Sequence, residues 1–377
     1  MSAGRFSSEV YQLRLAAAAD GARAAGLAGL VITPGYDLRY LTGLRAQTFE
    51  RLTALVVSSN GESTVILPRL ELAALKDSAV ADLALPVRDW VDGENPYRLV
   101  EQALGALPGA PAVAVTDSMP ALHLLPLADL LGAVPVLATG VLAALRMVKD
   151  FHEIEALRTA GAAIDRVHAQ VPRFLVPGRT EAEVAADITK AIVAEGHSGA
   201  AFVIVGSGPH GADPHHECSD RELQSGDIVV VDIGGPVEPG YNSDCTRTYS
   251  LGEPDPEVAG QYAVLQRAQA AAVAAVRPGV SAEQVDAAAR NVLTEAGLAD
   301  YFVHRTGHGI GLSVHEEPYI VAGNGQVLTE GMAFSVEPGI YLPGRWGARI
   351  EDIVIVTGDG ALPVNNRPHG LTVVPPP

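Results

Sequence analysis

Positively charged residues are scarce in this sequence. Its 377 residues include 26 lysines and arginines against 44 aspartates and glutamates, which gives a formal net charge of −18 at pH 7. A phosphate backbone would be repelled by such a chain, and no basic run reverses the imbalance locally. The composition therefore argues against nucleic acid as a partner.

Cysteines and long apolar runs are rare as well. Cys218 and Cys245 form no CxxC pattern, so we expect free thiols in a cytoplasmic protein rather than a disulfide. Charged residues interrupt the Ala-rich residues 1–30, and Asp129 and several prolines interrupt the apolar residues 120–145. These interruptions predict neither a signal peptide nor a membrane span.

Apolar residues are nevertheless plentiful, at 48% of the chain, which is typical of a globular protein with a large core. Residues 1–145 alternate helical and strand patterns and predict a compact α/β domain. They include a helix over 9–26, a strand over 27–33 and a hairpin that turns at Asn60-Gly61, followed by strands near Val115 and Val136. Residues 146–171 then read as the helix that begins a second domain, 146–377.

The second domain contains a weak internal repeat. Residues 177–196 align with residues 278–297 at an offset of 101, and each copy opens with Pro-Gly and a capping box. A predicted strand follows each helix, over 201–208 and 301–307. The shared order of elements favours an ancestral duplication, in which the two copies face each other across one cleft.

Four acidic residues in this domain need an explanation. At an offset of 105, Asp232 falls on Glu337, and each is expected to end an apolar strand before a glycine turn. Asp244 and Glu351 alternate with residues typical of strands and could share a face with the first pair. Four carboxylates within about 5 Å would repel by on the order of 3 kcal/mol per pair at an effective dielectric near 20, and divalent cations would offset this. Taken singly, each acid could instead be an ordinary turn or solvated residue.

The stretch RTGHGIGLSVHEEPYI, residues 305–320, contains two histidines. Glycines flank His308 and allow bare backbone to approach whatever that side chain binds. A lone buried histidine is more often a hydrogen-bonded core residue than a ligand, but here it accompanies the four acids.

Several motifs in order resemble those of the metal-dependent proline-specific peptidases, the family of Xaa-Pro dipeptidase (prolidase) and aminopeptidase P. They are PHHE, VDIGG, GYNSDCTRT, HRTGHGIGLSVHEEP, VEPGIY and ARIED. The resemblance covers the whole chain. It implies an α/β creatinase-like N-terminal domain plus an α+β "pita-bread" catalytic domain with an internal pseudo-two-fold duplication.

The resemblance also implies roles for individual residues. Two divalent metal ions would be held by five ligands: Asp232, Asp244, His308, Glu337 and Glu351. The catalytic and substrate-contacting residues would include His215, His304, His315 and Glu337, with Tyr341 and Arg349 near the acids and the substrate. Because carboxylates are hard ligands, Mn²⁺ is favoured, with Co²⁺ or Zn²⁺ as alternatives. The family resemblance further implies a homodimer.

The sequence departs from the family pattern in two places. Asp232 and Asp244 lie twelve positions apart, one more than is usual, and we expect the turn at residues 238–240 to absorb the extra residue. Position 319 is Tyr, where some prolidases have an arginine for the substrate carboxylate. Arg45 is our candidate for that missing cation.

The leading interpretation is thus an Xaa-Pro dipeptidase acting on small peptides with proline second, without a membrane or nucleic-acid partner. Aminopeptidase P, which acts on longer peptides, is the closest alternative. A metal-independent creatinase-like hydrolase or a peptidase-like binding module would not need the intact set of five ligands.

Overall fold

The computed structural model describes residues 4–47, 50–105 and 111–375. The chain divides into two compact units, Met1–Arg146 and Met147–Pro377. Within the described ranges, no helix is both long enough and apolar enough to cross a membrane. Both cysteines are free thiols, as the sequence predicted.

The N-terminal unit is a six-stranded mixed sheet with helices. Its helices are α1 (Ser8–Ala24), α2 (Tyr36–Thr42), α3 (Pro96–Leu104), α4 (Ala121–Leu131) and α5 (Thr139–Met147). Its strands are β1 (Gly29–Ile32), β2 (Ala54–Ser58), β3 (Ser63–Pro68), β4 (Val87–Trp90), β5 (Val113–Val115) and β6 (Val136–Leu137), in the order β4-β3-β2-β1-β5-β6.

The predicted elements of this unit are present. The hairpin β2–β3 turns through Gly61, whose positive φ of 100° suits a residue without a side chain. All four residues of β1 are buried, because the strand lies inside the sheet between β2 and β5.

The second unit contains four helices and eleven strands among its described residues. The helices are α6 (Phe151–His168), α7 (Glu181–Ala194), α8 (Pro256–Ala275) and α9 (Ala282–Glu295). The strands are β7 (Phe202–Ser207), β8 (Ile228–Val237), β9 (Tyr241–Leu251), β10 (Gly307–Gly309), β11 (Glu316–Ile320), β12 (Ala333–Val336), β13 (Gly339–Leu342), β14 (Trp346–Arg349), β15 (Asp352–Thr357), β16 (Gly360–Pro363) and β17 (Thr372–Val374).

These elements form two similar halves. The sheet β17-β9-β8-β7 shares one hydrophobic core with α6 and α7, and the sheet β11-β10-β12-β15-β16 shares another with α8 and α9. Helices α7 and α9 have 14 residues each, and both begin with the predicted capping box. This arrangement matches the duplication that the sequence repeat indicated.

Three local predictions were wrong. The helix expected over 146–171 is interrupted, because the Asp150 side chain accepts a hydrogen bond from the Glu153 backbone and starts a new helix there. The strand expected over 301–307 is confined to β10. Side chains of α9 bind this segment: Asp286 accepts from the Thr306 backbone, which also donates to the carbonyl oxygen of Ile320, and Arg290 donates to the carbonyl oxygen of His304.

The third concerns Asp232, which was expected at the end of a strand. It lies inside β8, which continues through Gly234 and Gly235. A Cβ atom on Gly234 would lie 2.6 Å from the Phe202 ring, so this glycine serves close packing rather than a turn. The turn between β8 and β9 is at residues 238–240. The two strands pair in a regular register up to this turn, so the extra residue is accommodated within it.

Candidate active site

The four acids converge because neighbouring strands carry them. In the β8–β9 ladder, Asp232 pairs with Thr246 and Gly234 pairs with Asp244, which places both aspartates on the same face of the sheet. Glu351 follows β14 and is hydrogen-bonded to β9: its backbone N–H donates to the Thr246 carbonyl oxygen at 3.2 Å, and the Thr246 hydroxyl donates to its carboxylate at 2.6 Å.

The second half of the unit supplies His308 and Glu337. His308 lies in β10, and Glu337 directly follows β12. The His308 Nε2 atom lies 3.1 Å from Glu337 Oε1 and 3.7 Å from Asp244 Oδ2. Ligand atoms of Asp244, His308 and Glu351 all lie within 4.8 Å of one another. The structure therefore brings the five predicted metal ligands to one place.

The tautomer of His308 suits a metal ligand. Its Nδ1 atom lies 3.1 Å from the carbonyl oxygen of Gly309, and because a carbonyl can only accept, Nδ1 must carry the hydrogen. In the neutral ring, Nε2 then presents its lone pair to the acids. A backbone carbonyl commonly fixes metal-binding histidines in this way.

The carboxylates repel one another when no cation is present. Burial raises the pKa values of Asp244 and Glu351 well above the ordinary range, and their acidic neighbours raise them further. Two buried oxygens, Asp232 Oδ1 and Glu351 Oε1, have no hydrogen-bond partner among the residues that the structure describes. Divalent cations would satisfy these atoms and offset the repulsion, so the residues fit a metal centre.

A series of hydrogen bonds holds the side chain of Asp232 in place. Arg349 donates to Asp232 Oδ2 at 2.6 Å and to the Tyr341 hydroxyl at 2.7 Å. That hydroxyl lies 2.8 Å from His304 Nε2, while His304 Nδ1 donates to the carbonyl oxygen of Arg305. The Tyr341 hydroxyl must therefore donate to His304, which links three residues predicted for the site.

A cavity of about 760 Å³ opens over the acids. Its walls include His215 from the first half of the unit and His315 from the second, and both are exposed. The His315 ring lies 4.2 Å from the His308 ring and nearly perpendicular to it. Phe202, Ile204 and other apolar residues form the remaining wall.

Sequence reasoning missed Arg305, which also lines this cavity. Its guanidinium lies 4.4 Å from the centre of the Tyr319 ring, a cation–π contact. Arg349, the other arginine of the cavity, is paired with Asp232, whereas Arg305 forms no ion pair with any residue that the structure describes. The position of Arg305 three residues before His308 was the one sequence signal for a role in the site. Its contact with Tyr319, fourteen residues later, could not be read from the sequence.

Arg45 lies in the N-terminal unit, where its guanidinium donates to the carbonyl oxygen of Gly4. Its proposed role with substrate stays a prediction.

Comparison with known proteins identifies the family of this chain. Residues 155–358 match the model of metallopeptidase family M24, and residues 14–148 match the creatinase/prolidase N-terminal domain. The chain is 74% identical over 376 residues to the probable dipeptidase PepE of Mycobacterium bovis, with 100% of both chains covered.

Two solved structures support the same family. The crystal structure of dipeptidase PepE from Mycobacterium ulcerans has a TM-score of 0.95 at 74% identity and covers 99% of this chain and 100% of that one. A prolidase from Thermococcus sibiricus has a TM-score of 0.89 at 36% identity and covers 98% and 100%.

The chain therefore belongs to metallopeptidase family M24 and is a peptidase. The predicted family and fold class are confirmed: a creatinase-type N-terminal domain is joined to a pita-bread catalytic domain.

Proposed function

We propose that the protein is a dinuclear metal-dependent Xaa-Pro dipeptidase. The observation that carries this proposal is the cluster of four carboxylates around the Nε2 atom of His308, together with relatives that are named dipeptidase and prolidase. Neither a metal-independent hydrolase nor a binding module would need such a cluster, since unpaired buried carboxylates destabilise a fold.

The five residues that would hold the ions are Asp232, Asp244, His308, Glu337 and Glu351. Four carboxylates and one imidazole form a hard, oxygen-rich set, which favours Mn²⁺ over the alternatives Co²⁺ and Zn²⁺. When bound, the two ions would supply Lewis acidity and a water nucleophile that is available near neutral pH.

The remaining steps belong to side chains of the cavity. His215 and His315 face the cavity from opposite halves, and we assign them to hydrogen bonding with the substrate and with the oxyanion as it develops. Glu337 is the candidate to carry a proton to the proline nitrogen that leaves. Arg349, Tyr341 and His304 keep Asp232 in place through their chain of hydrogen bonds.

A dipeptidase must also recognise the free carboxylate of its substrate. We propose Arg305 for this role, because it lines the cavity and forms no ion pair among the described residues, while Tyr319 holds its guanidinium plane. Arg45 is the alternative from the sequence. The apolar residues Phe202, Ile204 and Val314 offer the proline ring and its neighbour an apolar wall.

The closest alternative is aminopeptidase P, which shares the chemistry but accepts longer peptides. A direct comparison of Xaa-Pro dipeptides with tripeptides that begin Xaa-Pro decides between them, with Mn²⁺ present. We expect dipeptides to be cleaved with a kcat/KM at least tenfold higher. Preferred cleavage of tripeptides would move the assignment to aminopeptidase P.

Two broader expectations belong to the same proposal. The family resemblance leads us to propose a homodimer, which light scattering on the purified protein would test. The two free cysteines are consistent with a cytoplasmic location.

A further inference from the structure

Glu181 is a fully buried carboxylate that the proposed mechanism does not use. It is the first residue of α7, where the helix dipole favours negative charge. Its Oε1 atom accepts hydrogen bonds from the backbone and the hydroxyl of Ser207, at 2.9 and 2.6 Å. Its Oε2 atom accepts from the backbone and the hydroxyl of Ser219, at 3.1 and 2.7 Å.

Two histidines complete this arrangement. His216 Nε2 lies 2.7 Å from Glu181 Oε2, and His210 Nδ1 lies 3.1 Å from both carboxylate oxygens. Burial raises the pKa of Glu181, but the hydrogen bonds from Ser207, Ser219 and His216 outweigh burial and lower it to about 2. The group is therefore an anion surrounded by donors.

All of these donors belong to one segment, residues 207–219, which we call the His215 loop. Glu181 binds both of its ends and two residues between them. Within the loop, Pro214 and His215 line the active-site cavity. The backbone N–H of His215 donates to Asp213, but its imidazole has no hydrogen-bond partner in the described part of the chain. The direction of that ring thus depends on the backbone of the loop.

Glu181, His210 and His216 also have the composition of a metal site, since one potential ligand atom from each lies within 4.8 Å of the others. Both carboxylate oxygens are, however, already occupied by donors from the loop, two of them backbone N–H groups that cannot rotate away. In this respect Glu181 differs from Asp232 and Glu351, which each have an oxygen without a hydrogen-bond partner in the described ranges.

We propose that Glu181 is a positioning residue, which fixes the His215 loop and so directs the His215 imidazole at the substrate. The inference rests on the proposed role of His215 in peptide hydrolysis. It adds that this role depends on a buried anion in α7, behind the cavity wall.

The substitution Glu181→Gln tests this at nearly constant volume. A carboxamide has one oxygen, so its NH₂ group must face donors of Ser207 or Ser219, and the loop has to move. The second half of the unit offers a matched control in Asp286, another buried carboxylate in the first turns of a helix. Asp286 accepts from the backbone and the hydroxyl of Thr306 and serves the segment that carries His304.

The experiment is a pair of double-mutant cycles with His215→Ala, run on any peptide that the wild-type enzyme hydrolyses. We expect E181Q to lower kcat/KM roughly tenfold in the wild-type background and less than twofold in the H215A background, with metal content unchanged. D286N should lower kcat/KM by the same factor in both backgrounds, because it acts on a different loop.

Multiplicative effects of E181Q and H215A would overturn the proposal, and so would full activity of H215A alone. If the substrate assignment is wrong, the wild-type enzyme will fail to hydrolyse Xaa-Pro dipeptides. The double-mutant cycle can still be measured, because it uses any peptide that the wild-type enzyme hydrolyses. If E181Q does not fold, Ser219→Ala removes one donor to the same carboxylate, and its effect should likewise disappear in the H215A background.

Discussion

The Nε2 atom of His308 lies 3.1 Å from a carboxylate oxygen of Glu337, and the carbonyl oxygen of Gly309 binds Nδ1, so Nε2 is the ring nitrogen that faces the acids. A divalent cation between these two atoms would bind both, since imidazole nitrogens and carboxylate oxygens are common metal ligands. Repulsion between carboxylates affects Asp244 and Glu351, whose pKa values are raised by burial and by the acidic residues beside them. Arg349 pairs with only one of the four carboxylates, Asp232, and divalent cations would compensate the remaining negative charge of the site.

Removal of one acid tests the shared centre. Asp244 lies near both His308 and Glu351, so Asp244→Ala should reduce bound metal and lower kcat by at least 100-fold. Elemental analysis of the purified variant, beside the wild type, measures the metal. Asp359→Ala is a suitable control, because this exposed acid follows β15 outside the cavity. Normal metal content in the D244A variant would remove Asp244 from the ligand set.

The two histidines of residues 305–320 should separate by function. His308→Ala should lose metal affinity, because it removes the only nitrogen of the proposed ligand set. His315→Ala should keep metal content near that of the wild type while kcat falls by roughly 100-fold, if this residue stabilises the oxyanion. Metal titration and steady-state kinetics on both variants check the assignment, which fails if the two show the reverse pattern.

Recognition of the substrate carboxylate should depend on one arginine. Arg305→Ala should raise KM for Xaa-Pro dipeptides by roughly tenfold and leave amidated Xaa-Pro substrates almost unchanged, since a charge-assisted pair is lost only with the free acid. Arg45→Ala is the matched variant. The same selective effect in R45A, with none in R305A, would return the role to the N-terminal unit. Equal effects on both substrates would exclude a carboxylate role for the residue concerned.

His168 should make stability depend on pH. Burial and, to a smaller extent, nearby Arg247 lower its pKa to about 3. The unfolded chain binds a proton near pH 6.5 and the folded protein does not, so stability is lost as the pH falls from about 6.5 towards 3. Between pH 7.5 and 5.0, the advantage of the wild type over His168→Gln should shrink by about 2 kcal/mol, or roughly 4–8 °C in Tm. A constant difference in Tm would mean that the pKa of His168 is the same in the folded and unfolded chain, which would contradict the prediction.

Much of this architecture could be predicted because its signals are local. The capping boxes at Thr180 and Ser281 define the starts of α7 and α9, and Asn60-Gly61 defines the first hairpin. The acids could be grouped because two of them occupy matched positions in the repeat.

Features that depend on distant contacts could not be predicted in this way. Gly234 reads as a turn residue, but the approach of Phe202 makes it part of a strand. The stacking of Arg305 on Tyr319 and the contacts of Glu181 with the His215 loop join residues that lie in different elements, far apart in the sequence.

Metal removal and restoration test the central claim most directly. The wild-type protein is treated with a chelator, dialysed and assayed on an Xaa-Pro dipeptide during titration with Mn²⁺, while bound metal is counted. We predict loss of activity in the metal-free protein and its return as up to two ions bind per chain. Full activity of the metal-free protein would contradict the account.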